Sequence, residues 1–224
     1  MKTKKVSLIA GISVCALIVL FTVVYAVITD AFVFAEEYVP PVDIEESYAK
    51  DAIEWVLKNK WMSTESVGGQ PYFHPEDKVT RGELAKILAA YLDLDSGQYD
   101  EVTLGFADEA SIPAQDLAYI RAALAGGYVK LFSDYTYRAS SPVAREEAAD
   151  VFAPLCPTAV SAGKSKNFSD FSDVGPYFED SVKKLVDLEI MIGYPDGTLR
   201  PRNAITREEL AMVLYRLSLT EKSP

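Results

Sequence analysis

The chain has 224 residues, with 33 acidic and 22 basic side chains, a single histidine and a formal net charge of −11. That excess of negative charge argues against nucleic-acid binding, which needs a basic footprint to displace counterions. Hydrophobic residues make up 49% of the chain, which excludes a disordered acidic tail.

The first element is the leader. Met1-Lys2-Thr3-Lys4-Lys5 precedes 24 uncharged residues, Val6 to Thr29. A basic start before an apolar run reads as an export signal, and Val33-Phe34-Ala35 before Glu36 offers small residues at a cleavage junction. A run of that length also spans a bilayer as a helix. Residues 1–35 are therefore expected to be a signal peptide or an N-terminal membrane anchor. Either way the Lys cluster stays inside and the rest lies outside the cytoplasmic membrane. Membrane contact is expected only through this segment, if it is uncleaved. The leader carries +2, so the exported remainder carries −13. Cys156 is the only cysteine beyond Cys15 in the leader, so no disulfide is expected there.

After a linker over 36–41 the chain repeats itself. Thr80-Arg81-Gly82-Glu83, Ala144-Arg145-Glu146-Glu147 and Thr206-Arg207-Glu208-Glu209 follow one another at spacings of 64 and 62 residues. Upstream lie Asp43, Asp108 and Asp173, each 65 residues apart. Phe73-His74-Pro75, Tyr137-Arg138-Ala139 and Leu199-Arg200-Pro201 each end five residues before the Thr or Ala. The spacing predicts units over 42–95, 105–157 and 168–220, with a linker over 158–167.

Each unit reads as helix, loop, helix. The first helices carry Ala52, Ile53 and Val56, then Leu117, Ile120 and Leu124, then Val182, Leu185 and Val186, all at helical spacing. The second helices begin at the Arg strings. Thr80 and Thr206 suit N-caps, with Glu83 and Glu209 completing capping boxes. The arginines are different, because a cation at a helix N-terminus opposes the dipole. Two readings stay open for Arg81, Arg145 and Arg207: an anion site beside free backbone N–H groups, or a structural ion pair with Asp43, Asp108 or Asp173 of a neighbouring unit.

The pattern resembles three tandem S-layer homology modules, in Phe171-Ser172-Asp173-Val174, the turn Gly193-Tyr194-Pro195-Asp196-Gly197-Thr198, and Ile205 to Leu210. In unit one the turn is replaced by Ser63 to Pro71. Unit two lacks the Asp-Gly turn, its Pro is Ala139 and its cap is Ala144. The resemblance implies a mainly α fold, a pseudo-threefold, three-pronged spindle around a central three-helix bundle. It implies attachment to secondary cell-wall polysaccharide with a pyruvate ketal, or to modified peptidoglycan, in grooves between prongs. Arg81, Arg145 and Arg207 would then meet the ketal carboxylate, and Asp43, Asp108 and Asp173 would hydrogen-bond sugar hydroxyls. Gly193 would let backbone approach the ring, and Tyr48 and Tyr177 would wall the sugar face. On that resemblance Arg207 is expected to matter more for binding than Arg145.

No cofactor is expected and no catalytic site is apparent. His74 reads as a surface loop residue, too isolated for a nucleophilic triad or a zinc site. Paired glutamates at helix starts read as solvated residues matched to the dipole, and no loop has the ligand ladder of a calcium site. Only Glu36 to Pro41 precedes the first unit and the chain stops at Pro224, so a stand-alone wall-binding protein is expected. The alternative is an extracytoplasmic interaction or self-assembly scaffold with vestigial grooves.

Overall fold

The computed structural model describes residues 38–157 and 163–220. The leader with Cys15, the cleavage junction and residues 158–162 of the expected linker lie outside the described residues. The chain divides into two units, Met1–Val39 and Pro40–Pro224, and every element named below belongs to the second.

Six α-helices and one hairpin form among the described residues. They are α1 (Lys50–Lys58), β1 (Glu65–Val67), β2 (Gln70–Tyr72), α2 (Arg81–Leu92), α3 (Ala114–Ala125), α4 (Arg145–Phe152), α5 (Glu179–Asp187) and α6 (Arg207–Thr220). The fold is mainly α, as expected. The hairpin takes the place of the missing turn in Ser63 to Pro71. Gly68 and Gly69 both have positive φ, the requirement of a tight two-residue connection.

Each first helix buries one stripe: Ala52, Ile53 and Val56 in α1, Ile120 and Ala123 in α3, Val182, Leu185 and Val186 in α5. The main packing of that stripe is not with the second helix of its own expected unit. Instead α3 packs on α2, α5 packs on α4, and α1 packs on α6. The chain's first described helix thus covers its last.

At the centre, three short segments close a ring of backbone hydrogen bonds. Val79 N–H donates to the Ile205 carbonyl (3.0 Å), Ile205 N–H to Val143 (2.9 Å), and Val143 N–H to Val79 (2.9 Å). All three residues are fully buried, so each polar backbone group needs a protein partner. The same cycle continues at the helix starts. Arg81 and Gly82 N–H groups donate to Ser141 and Ala139 carbonyls, Arg145 and Glu146 to Asn203 and Pro201, and Arg207 and Glu208 to Asp77 and Pro75. These are the N–H groups that a helix start otherwise leaves unpaired. The expectation of free N–H groups making an anion site beside each arginine is therefore corrected.

The turn expected to be lost in unit two is present in a different chemical form. Asp196 accepts from the Thr198 N–H (3.0 Å) and hydroxyl (2.5 Å) and pairs with Arg200 (2.7 Å). Asp134 makes the same three contacts with Thr136 and Arg138, at 3.1, 2.6 and 2.8 Å. Tyr135, with φ 60°, stands where Gly197 has φ 79°. An L-residue with a Cβ is strained in that left-handed region. Because the Tyr135 side chain is 72% exposed, Tyr135→Gly is expected to stabilise the protein by roughly 1 kcal/mol, read as a higher denaturation midpoint at unchanged m.

Hydrogen bonds from Thr136 and Arg138 hold the Asp134 carboxyl down at about 2, and those from Thr198 and Arg200 do the same for Asp196. Both values lie below the ordinary 3.8. Their contribution to stability is fully present above that ordinary value and is lost as pH falls through about 2. Acid titration of the melting temperature should therefore fall less steeply in this window for the Asp134→Asn, Asp196→Asn double variant than for the wild type.

Candidate functional site: grooves between paired segments

The three motif arginines share one geometry. Arg145 donates from Nε to the Leu199 carbonyl (3.0 Å) and from Nη2 to Ile192 (2.8 Å), and its Nη1 lies 3.4 Å from Glu209. Arg81 contacts the Tyr137 and Lys130 carbonyls and Glu147 (2.6 Å). Arg207 contacts the Phe73 and Ser63 carbonyls (2.7 Å each) and pairs with Glu83. Each arginine therefore reaches the next segment in a closed cycle. The partner is the third residue of the facing helix, so the expected aspartate partners are corrected to Glu147, Glu209 and Glu83.

That glutamate serves two purposes. One Glu147 oxygen accepts from the Ala144 N–H (2.9 Å), and one Glu209 oxygen accepts from the Thr206 N–H (2.9 Å), closing the helix start. The other oxygen takes the arginine. Burial opposes the Glu209 charge, but Arg145 and the Tyr194 hydroxyl prevail and hold its carboxyl below the usual range.

Two of the entry aspartates turn inward. Asp43 accepts from the Phe73 and His74 N–H groups (2.8 and 2.7 Å), and Asp108 accepts from Tyr137 and Arg138 (2.7 Å each). In the third segment Asp170 makes this contact, with Leu199 and Arg200 at 2.7 and 2.8 Å. Asp173, expected there from its spacing, ends a 3-10 turn and is exposed instead. The staple fixes His74, Arg138 and Arg200, all at positive φ. His74 contacts Glu65 (3.1 Å) and stacks on Tyr72.

Because each arginine reaches forward, the Gly193 turn faces Arg145 and not Arg207. Between them lies a groove of about 660 Å³ lined by Tyr48, Arg145, Gly193, Tyr194, Glu208 and Arg216, among others. Tyr48 is 66% exposed at its edge. Two guanidiniums approach the Tyr194 ring, Arg200 at 3.9 Å and Arg145 at 5.1 Å from its centre. Burial and the hydrogen bond to Glu209 push the Tyr194 hydroxyl up to about 12, keeping it a neutral donor. Gly193 has a packing reason to be glycine. A Cβ there would sit 2.1 Å from the Phe168 ring and 2.5 Å from the Thr198 carbonyl.

A related groove of about 520 Å³ holds Arg81, Phe132, Glu147 and Tyr177. Here Lys130 Nζ donates to the Tyr177 hydroxyl and pairs with Asp150 at 3.4 Å, so the polar end of that tyrosine is already engaged. A third space of about 720 Å³ lies beside Trp61, Ser63, Glu83 and Tyr119. Tyr194 and Arg216 did not figure among the expected site residues. Tyr194 stood inside the recognised turn, and Arg216 follows Glu208 by eight residues on the same helix face, a spacing readable in the sequence.

Among the described residues no helix is long and apolar enough to cross a membrane, and no group of three or more His, Cys, Asp or Glu is placed to hold a metal. Cys156 is buried and unbonded to any other cysteine.

Residues 167–211, the stretch holding Asp170, the Gly193 turn and the Arg207 helix start, match the S-layer homology domain. Among curated relatives the chain is similar to cell surface glycoprotein 1 of Acetivibrio thermocellus, 28% identical over 64% of this chain and 6% of that protein. A cellulosome-anchoring protein of the same organism is 33% identical over 40% of this chain and 20% of its own length. An endoglucanase of Bacillus sp. (strain KSM-635) is 26% identical over 65% of this chain and 15% of its own length. The chain spans a fifth or less of each of these relatives.

Proposed function

We propose that the protein attaches non-covalently to the cell envelope, without catalysis, by holding a cell-wall glycan in the groove between Tyr48 and the Gly193 turn. The observation that carries this reading is the groove itself, with an exposed tyrosine, a second tyrosine held by the Arg200 guanidinium and polar groups from both signs of charge. Sites that are concave, aromatic-walled and sparsely polar suit such ligands. The S-layer homology domain and the surface and anchoring names of two relatives support an envelope role and an extracytoplasmic location. A pyruvylated terminal sugar of a secondary wall polysaccharide is the ligand we favour, with modified peptidoglycan the second choice. We read the whole described unit as three modules forming a three-pronged spindle, supported by the cyclic hydrogen bonds and the forward-reaching helix pairs.

The competing reading is a protein-interaction scaffold with vestigial grooves, and the engagement of the Tyr177 hydroxyl and Asp150 by Lys130 favours it for that one groove. Co-sedimentation of the full chain with native sacculi, and with sacculi stripped of secondary polymer, separates the two. Retention on native sacculi alone is expected; equal retention on both, or none on either, would rule out the polymer.

A further inference from the structure

Arg216 is the unusual cation of the 660 Å³ groove. Arg81 and Arg145 are committed to glutamates and carbonyls, but Arg216, half-buried, has no hydrogen-bond or ion-pair partner among the described residues. Burial holds its guanidinium below the usual value. Glu189, within electrostatic reach, is already paired with Lys164 at 2.6 Å. The helix dipole does not account for it either, since no basic residue falls in the last turn of α6.

The groove floor is polar at both ends. Glu208 and Arg216 lie on one face of α6, eight residues apart, a rise of about 12 Å at 1.5 Å per residue, with Met212 between them. Glu208 is held by the Ser47 hydroxyl at 2.6 Å, and Tyr48 stands beside it. A carboxylate placed near Glu208 would meet repulsion, whereas at the far end it would meet an unpaired planar guanidinium suited to two-oxygen recognition.

We infer that Arg216, rather than the motif arginine Arg145, binds the carboxylate of an acidic saccharide lying along α6, its ring face on Tyr48 and its hydroxyls toward Glu208. This rests on the glycan-binding reading above. Arg145 in this scheme is a positioning residue that holds the Ile192 and Leu199 backbone.

The test uses the full chain and wall polymer released from sacculi, native and after reduction of its carboxylates to alcohols. Arg216→Gln is expected to melt close to the wild type, because no hydrogen bond or ion pair among the described residues is lost and most of the side-chain volume is kept. It should bind native polymer roughly ten- to a hundredfold more weakly, the scale of a lost charge-assisted hydrogen bond, and bind reduced polymer as the wild type does. Arg216→Lys should recover part of the loss, since the charge remains without the planar fork. Wild-type affinity of Arg216→Gln for native polymer would overturn the assignment and leave glycan binding standing. Failure of the wild type to bind native polymer would overturn both.

Discussion

Arg145→Ala is expected to destabilise the protein by about 3–5 kcal/mol, the cost of leaving one member of a buried ion pair without its partner. The Arg145 and Glu209 side chains are only 4% and 10% exposed, so solvent screens the pair little. Two carbonyls, Leu199 and Ile192, also lose their donor, and the Tyr194 ring loses one of the two cations that approach it. For a domain of this size the melting temperature should fall by roughly 6–20 °C. Arg81→Ala should cost less, because Arg81 and Glu147 are 12% and 25% exposed and water compensates part of the loss. Thermal melts of the two variants side by side check the order; equal losses would mean that burial is not what separates them.

Gly193→Ala is the second large effect, about 1–3 kcal/mol for a side chain forced into filled space. The Phe168 ring belongs to a side chain that can shift, but the Thr198 carbonyl cannot give way, because it accepts the Tyr194 N–H at 2.8 Å and closes the turn. The strain therefore falls on the turn that carries Tyr194. Chemical denaturation should show the loss, and Phe168→Leu in the same chain should relieve only part of it.

Much of this was legible in the sequence because it depends on local chemistry. The helical stripes and the capping threonines are short-range signals, and the structure places them on helices and at helix starts. The pairing between segments was not legible. Periodicity says which face of α1 is apolar, but not that it covers α6, which lies about 150 residues away in the chain. The arginine at each helix start could be seen as costly, yet its partner appears only when the next segment is folded beside it. Equal spacing points to Asp173, while the backbone N–H groups of Leu199 and Arg200 choose Asp170 by geometry. In Asp134-Tyr135-Thr136 the turn was hidden because a tyrosine occupies the glycine position, although the aspartate, threonine and arginine that hold it are all present.

The same forward reach bears on which groove we propose for the ligand. The best-preserved turn, at Gly193, faces Arg145, so Arg207 is no longer the arginine expected to dominate binding. A crystal structure of the full chain with an oligosaccharide of the released wall polymer tests this most directly. The account predicts a sugar ring against Tyr48, with an acidic group at Arg216 and the chain of the ligand along α6 beside Gly193. A ligand seated at the Tyr177 groove or beside Trp61, with the Tyr48 groove empty, would contradict it.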